Sequence, residues 1–339
     1  MSLSDLLQPK KPTAPWDKPK TKPKAKKDAA KDVKGSKAKQ PNPSTQTPAR
    51  PRVSIPVYIS IVGVHTTLLS YTALFLPRTK VLQDLAGHYA SDASSSSAVP
   101  TSQDRPQHPF LTALTSSPGV TLFALCAGTL ILQTWWASWL RGAWVDLTVQ
   151  GTEDERAREK FPEAGKKARH LATTYASVVV ASLLLHVVLV LFGAPMNEYV
   201  HSYSKRHHKL TDPGSLTLKT YLLALLISTL VVLPASYVLG PPTWSTSNDT
   251  ALLVKRWTWV RLFAELSPRN TVERALVYPA VGTVLGAWAG IIPTALDWDR
   301  PWQAWPLTPA YGALLGYIAS SILAVTLDAV ISTNAANPL

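Results

Sequence analysis

Long apolar segments are the feature that most limits how this chain can fold. Three of them, at 53–76, 171–194 and 275–296, exceed 20 residues and contain no Asp, Glu, Lys or Arg. A helix of about 20 apolar residues crosses a hydrocarbon core of about 30 Å, whereas a core helix of a water-soluble protein is usually shorter and amphipathic. These segments therefore predict membrane-spanning helices.

Three further apolar runs, at 118–140, 220–239 and 307–331, bring the predicted number of spans to six. The chain has 46% hydrophobic residues and a mean hydropathy of only +0.05, and its apolar residues are concentrated in these runs. We predict an all-α, polytopic helical membrane protein. Its predicted regions are a disordered basic cytosolic tail at 1–52, a six-helix transmembrane domain at 53–331 and a short C-terminal tail at 332–339.

The positions of Lys and Arg predict the orientation of the spans. Of 34 such residues, 14 precede Val53, 7 lie in 141–170 and 5 lie in 240–274, which leaves 8 for the opposite side. Because basic residues are enriched in cytosolic loops, both termini are predicted to be cytosolic. Mixed charges at helical spacing in 153–169 predict a short cytosolic helix. No RNA-binding signature accompanies the basic tail, so no nucleic-acid partner is predicted.

The connection between the fifth and sixth spans, residues 297–306, has an unusual composition. This Trp-rich hairpin contains three Trp, two Asp and one Arg. Trp rings favour the membrane interface and proline stops a helix, so a rigid lumenal turn at membrane level is predicted. Pairing of Arg300 with a neighbouring Asp, or stacking on a Trp ring, would fix this turn. Candidates for partner or lipid contact are Asp297, Trp298, Asp299, Arg300, Pro301, Trp302 and Trp305.

Small residues recur at every fourth position in the last two spans. Such stripes let helix backbones approach closely inside lipid. Packing between the two spans and docking of a partner helix are both compatible with the pattern. The stripes consist of Gly282, Gly286 and Gly290 in the fifth span and of Gly312, Gly316 and Ser320 in the sixth.

Titratable residues show no catalytic or metal-binding pattern. The Asp-x-Asp of the Trp-rich hairpin lacks a third carboxylate or a His within the loop, and the three His between 201 and 208 lack an acidic or thiol partner. His65 and His186 lie inside spans without an acidic companion, so hydrogen bonds to nearby carbonyls are predicted for them. Nucleotide-binding and hydrolase motifs do not occur. We predict no catalytic residue, metal or cofactor.

Two sequence blocks carry a resemblance to a known family. The Trp-rich hairpin, read with Gly286-Ala287-Trp288-Ala289-Gly290 and Gly312-Ala313-Leu314-Leu315-Gly316-Tyr317, resembles the PIG-F family of endoplasmic reticulum membrane proteins. The second block comprises Phe192, Gly193, Ala194 and Pro195 after Leu191. The resemblance extends over roughly 171–327.

The resemblance implies a non-catalytic accessory role. PIG-F proteins are subunits of the enzymes that transfer phosphoethanolamine to mannoses of glycosylphosphatidylinositol (GPI) precursors. In that family, catalysis belongs to large partners of the PIG-O and PIG-G type, whose lumenal domains use metal ions. The resemblance thus implies a multi-pass protein of the endoplasmic reticulum membrane that stabilises and positions such partners among membrane lipids.

Two other functions are compatible with the sequence. The first is a transporter or scramblase for phosphatidylethanolamine or a GPI precursor, in which His201 and Arg206 attract phosphate. The second is catalysis within this chain by Asp297 and Asp299. Each makes a different prediction for the purified protein or its variants.

Overall fold

The computed structural model describes residues 53–82, 84, 108–149, 152–195, 213–242, 249–296, 298 and 300–336. These residues form α-helices and short 3₁₀ turns, and they contain no strand. The helices are α1 (Ile55–Phe75), α2 (Pro109–Thr115), α3 (Pro118–Thr148), α4 (Glu153–Lys160), α5 (Ala164–Leu191), α6 (Pro213–Leu239), α7 (Thr250–Phe263), α8 (Thr271–Ala289) and α9 (Leu307–Ala336).

Six of these helices are long and apolar enough to cross a membrane. They are α1, α3, α5, α6, α8 and α9, and with their adjoining turns the apolar stretches are 24 to 31 residues long. The predicted all-α fold with six spans is therefore confirmed. The cytosolic placement of both termini stays a prediction.

The helices extend beyond several of the predicted spans. Helix α3 continues to Thr148, α5 begins at Ala164 and α8 begins at Thr271. An α-helix satisfies its own backbone hydrogen bonds and can therefore continue past the hydrocarbon core. Beyond the core, its charged side chains meet water or headgroups. Hydropathy marks only the apolar part of such a helix.

The single helix predicted over 153–169 is two helices. Helix α4 begins with a capping box, in which Thr152 Oγ1 accepts from the Glu155 N–H and Glu155 Oε2 accepts from the Thr152 N–H. It ends at Lys160, and Pro162 stands before the start of α5. Proline lacks an N–H and disfavours helical backbone in the preceding residue, so the charge pattern continues while the helix does not.

Helix α6 forms the centre of the bundle. In its most apolar window, 78% of the residues are buried. It packs on α3 and α5 and also contacts α8, while α9 packs most extensively on α8 and contacts α1. The other spanning helices expose much of their apolar surface, because they lie at the periphery of the bundle.

Helices α1 and α3 are antiparallel, whereas α3 and α6 run parallel, with Cys126 beside Leu222 and Arg141 beside Tyr237. Tyr58, near the start of α1, stacks on Trp139 in the second half of α3 at 6.0 Å. Leu69, later in α1, shares a core cluster with Leu122 near the start of α3. The bundle thus has an Arg141 end, with the starts of α1, α5 and α8, and a hairpin end, with the Trp-rich hairpin.

His65 and His186 each have one ring nitrogen without the predicted hydrogen bond to a carbonyl. His65 is buried and stacks on Trp136 at 4.9 Å, with Tyr317 edge-on at 5.8 Å. Neither His65 Nε2 nor His186 Nδ1 has a hydrogen-bond partner. The predicted carbonyl contacts of these nitrogens are wrong, because helix carbonyls are already paired within the helices while aromatic side chains surround His65.

Candidate functional site

Gln303 organises the Trp-rich hairpin from within. Its Nε2 donates to the carbonyls of Pro293 and Leu296 at 2.6 and 2.8 Å, and its Oε1 accepts from the Arg300 N–H at 2.7 Å. A single amide thereby contacts three backbone groups of the connection, whose two carbonyls also accept from the N–H groups of Leu296 and Trp298. Short 3₁₀ turns at Ile292–Ala295 and Pro301–Gln303 complete the connection between α8 and α9. The described residues thus form a short turn between α8 and α9, while its rigidity and its lumenal position at membrane level stay predictions.

Thr220 joins the hairpin to the second block that carried the resemblance. Trp305 Nε1 donates to Thr220 Oγ1 at 3.0 Å, and this hydroxyl donates to the Pro195 carbonyl at 3.2 Å. Thr220 lies in α6 and has no exposed surface. Two blocks separated by about a hundred residues thus meet at one hydroxyl. Sequence reasoning missed Thr220, because a single Thr at the start of an apolar span gives no signal of its own.

The second block terminates α5. Gly193 has φ +92°, a backbone conformation that favours glycine, and the Ala194 N–H donates to the Leu189 carbonyl at 2.9 Å. This arrangement caps the last turn and directs Pro195 toward α6. Phe192, in contrast, is 87% exposed. The block therefore combines a fixed backbone turn with an exposed aromatic ring.

The hairpin also presents aromatic surface outward. Trp298 is 52% exposed and lies 5.7 Å from Trp302, with the rings tilted by 60°. Pro301 and Arg300 are half-buried. The aromatic cluster is thus open on one side while Gln303 holds its backbone.

Arg300 was predicted to pair with a neighbouring Asp or to stack on a Trp ring. Asp297 and Asp299 lie outside the described residues. Among the described aromatic rings, the cation–π contacts are those of Arg78 with Phe75 and Phe110, so the predicted stacking of Arg300 is not found there. The hairpin is fixed by the amide of Gln303, a residue to which the sequence interpretation gave no role.

The two stripes of small residues face each other across α8 and α9. A Cβ on Gly286 would lie 2.9 Å from the Gly316 Cα, and one on Gly290 would lie 2.7 Å from the Pro309 Cα. Real Cβ atoms do not approach backbone so closely, so only glycine permits this separation. The stripe of each helix is covered by the other helix, which supports internal packing over docking of a partner helix.

Two ion pairs at the Arg141 end were missed by sequence reasoning. Glu273 is 3% exposed and accepts from both Arg261 guanidinium nitrogens at 2.6 and 2.9 Å, and from the Arg269 N–H at 2.6 Å. The hydrogen bond to Glu273 raises the pKa of the Arg261 guanidinium above its ordinary value. Arg274 pairs with buried Asp328, its Nε donating at 2.6 Å. These pairs connect α7 to α8 and α8 to α9.

The remaining candidates are not brought into one site. His201 and Arg206 lie outside the described residues, as do the other two His of that segment. Within the described ranges, no group of three His, Cys, Asp or Glu could hold a metal ion. Cys126 is buried in α3, where its thiol donates to the Leu222 carbonyl at 3.3 Å.

Comparison with known proteins finds a family similarity over the helices around Thr220. The model of the family described as GPI biosynthesis protein family Pig-F matches residues 214–325. The resemblance to the PIG-F family is confirmed. The matched range contains α7 and α8 together with most of α6 and α9, and therefore Thr220, both glycine stripes and the Trp-rich hairpin. No solved structure matches the chain.

Individual relatives agree with the family match. A mouse protein named GPI ethanolamine phosphate transferase, stabilizing subunit, is 32% identical over 145 residues, which cover 43% of this chain and 52% of that protein. Its human counterpart is 33% identical over 138 residues, covering 41% and 49%. Glycosylphosphatidylinositol anchor biosynthesis protein 11 of Yarrowia lipolytica is 30% identical over 170 residues, covering 48% and 61%. The chain spans about half the length of the mouse and human relatives.

Proposed function

We propose that this chain is a non-catalytic membrane subunit that stabilises and positions an ethanolamine phosphate transferase. The transferase acts on mannoses of GPI-anchor precursors in the endoplasmic reticulum, and its large lumenal-domain subunits, of the PIG-O and PIG-G type, are the proposed partners. The mouse and human relatives are both named as stabilizing subunits, which supports this role. The family match over 214–325 supports the pathway.

The link through Thr220 is the observation that carries the proposal. It joins Trp305 and Pro195, so the exposed rings of Trp298 and Phe192 extend from one hydrogen-bonded unit. Exposed aromatic residues on a fixed backbone are typical of the residues that dominate protein–protein binding. We therefore assign the partner contact to the hairpin end, which the charge distribution predicts to be lumenal.

The experiment that tests this role is depletion of the protein from its own cells, followed by quantitative proteomics of the transferase catalytic subunits. A stabilising subunit protects its partner from degradation, so the abundance of the catalytic subunit is expected to fall while its transcript is unchanged. Unchanged abundance of every catalytic subunit would contradict the stabilising role.

The alternative of catalysis within this chain has its own test. Asp299→Asn removes one carboxylate charge at nearly constant size. If the Asp299 carboxylate acted in catalysis, transfer would stop while partner levels stayed normal. Under the proposed role, any loss of transfer accompanies a loss of partner. Movement of fluorescent phosphatidylethanolamine between leaflets by the purified protein alone would instead support transport.

A further inference from the structure

The Arg141 end contains a large cavity, at the opposite end of the bundle from the proposed partner contact. Its volume is about 1060 Å³, and it lies among the second half of α3, helix α4 and the start of α5. Val53 and Ser54 before α1, and Tyr237 of α6, also line it. Ligand pockets usually have about 300 to 1000 Å³, so the cavity accommodates a headgroup-sized ligand with room for solvent.

The lining carries more cations than anions. Its charged residues are the cations Arg141, Arg158, Lys160, Lys166 and Lys167 and the anions Asp146, Glu159 and Glu163. Two carboxylates are already paired, because Lys160 Nζ lies 2.7 Å from Asp146 Oδ1 and Lys166 Nζ lies 3.7 Å from Glu163 Oε2. The cations without an ion pair in the described residues outnumber the one remaining carboxylate.

Of the lining cations that form no ion pair in the described residues, Arg141 is the least exposed. It is half-buried in α3, and its Nη1 donates to the Tyr237 carbonyl at 3.3 Å. His170 Nε2 lies 2.8 Å from the same oxygen and 3.3 Å from Arg141 Nη1. Since a carbonyl only accepts, His170 Nε2 must carry the proton and donate there, so it cannot accept from Arg141. The guanidinium therefore has N–H donors left over, and it forms no ion pair within the described part of the chain.

We propose that this cavity binds the phosphate of an anionic phospholipid headgroup. Arg141 contacts the phosphate, while Arg158 and Lys167 at the exposed rim supply further positive charge. Guanidinium groups suit phosphate because their N–H donors bind two of its oxygens together. Trp139 and Leu147 give the lining an apolar portion for the glycerol and upper acyl region.

The position of the cavity favours a lipid over a soluble phosphate. It lies at the ends of α3 and α5, two helices that are long and apolar enough to span a membrane. The charge distribution predicts this end to be cytosolic, and basic residues at the cytosolic ends of spans lie at headgroup level, where anionic lipids are concentrated. The segment 1–52 is disfavoured as the occupant, because its 14 Lys and Arg have the same sign as the cavity.

The test is a native mass spectrometry titration of the full-length protein, purified in neutral detergent, with phosphatidic acid. Arg141→Gln is expected to raise the apparent Kd about tenfold, because a charge-assisted contact to phosphate is lost. The double variant Arg158→Gln/Lys167→Gln is expected to weaken binding in the same direction. Arg256→Gln, which removes an exposed Arg of α7 outside the cavity, is the matched control and is expected to leave Kd unchanged.

Several outcomes would overturn the proposal. Equal Kd values for the parent and the rim double variant would do so even if Arg141→Gln fails to fold, because Arg158 and Lys167 are exposed. Equal affinity for zwitterionic phosphatidylcholine would remove the selection for anionic lipid. Displacement of phosphatidic acid by inorganic phosphate alone, with the same dependence on Arg141, would assign the cavity to a soluble phosphate compound.

Discussion

The indole N–H of Trp305 and the hydroxyl of Thr220 lie 3.0 Å apart, and through this contact the connection between α8 and α9 is tied to the start of α6. The same hydroxyl donates to the Pro195 carbonyl that follows α5. One buried side chain thus holds three segments of the hairpin end together, and its removal is the most selective way to separate them.

Thr220→Val is expected to destabilise the protein. Valine keeps the volume of threonine but leaves the Trp305 N–H and the Pro195 carbonyl without their partner, which costs about 1–3 kcal/mol for buried groups. Thermal unfolding in detergent measures the change. Thr326→Val is the matched control, because that exposed hydroxyl bonds only within its own helix. Equal unfolding temperatures for the two variants would show that the link contributes nothing.

Gly286→Ala is expected to separate α8 from α9. The added methyl group would meet the Gly316 Cα at 2.9 Å, and overpacking of this kind costs about 1–3 kcal/mol. Gly63→Ala serves as the control, since nothing lies within 4 Å of the position that a Cβ on residue 63 would take. The unfolding temperature in detergent should fall for Gly286→Ala alone. If both variants unfold like the parent, the stripe does not set the helix separation.

Glu273→Gln is expected to loosen α7 from α8. The substitution keeps the shape but removes the charge that pairs with Arg261, and breaking a buried pair costs about 3 kcal/mol. Glu163→Gln, in an exposed pair with Lys166, is the control with little expected effect. Hydrogen exchange of the α7 amides reads out the loss directly. Unaltered protection of α7 would mean that the helix is held by other contacts.

Trp298→Ala is expected to weaken the proposed partner contact without affecting the fold. The ring is 52% exposed, so its loss removes little internal packing. Trp257→Ala is the matched control, because this 66% exposed Trp lies on α7, which contacts α8 at the Arg141 end. The measurement is recovery of the transferase catalytic subunit with the tagged chain. Equal recovery for both variants would move the contact away from the hairpin.

The sequence predicted the number and kind of spanning helices because each span needs about 20 consecutive apolar residues, which can be read from the sequence. It did not predict the pairing of Arg261 with Glu273 or of Arg274 with Asp328, since helix packing sets such contacts and charge spacing alone does not reveal them. The glycine stripes were visible because their period matches the helix, whereas their mutual contact needed three-dimensional structure.

Only part of the candidate site was predicted, because contacts between residues distant in sequence need the three-dimensional structure. Trp298 and Trp302 stood out by composition, and the structure brings their rings together. Gln303 and Thr220 did not stand out, because each acts through backbone groups and a single indole that are distant in sequence. The signal for Gln303 in the sequence was its position as a polar residue within the Trp-rich hairpin.

The central claim is tested most directly by mass spectrometry of the GPI precursors that accumulate when this protein is depleted from its own cells. The proposed role predicts accumulation of mannosylated precursors that lack the terminal phosphoethanolamine, reversed by re-expression of the parent chain. A normal precursor profile in depleted cells would contradict the role in the transferase, whatever the stability of the isolated protein.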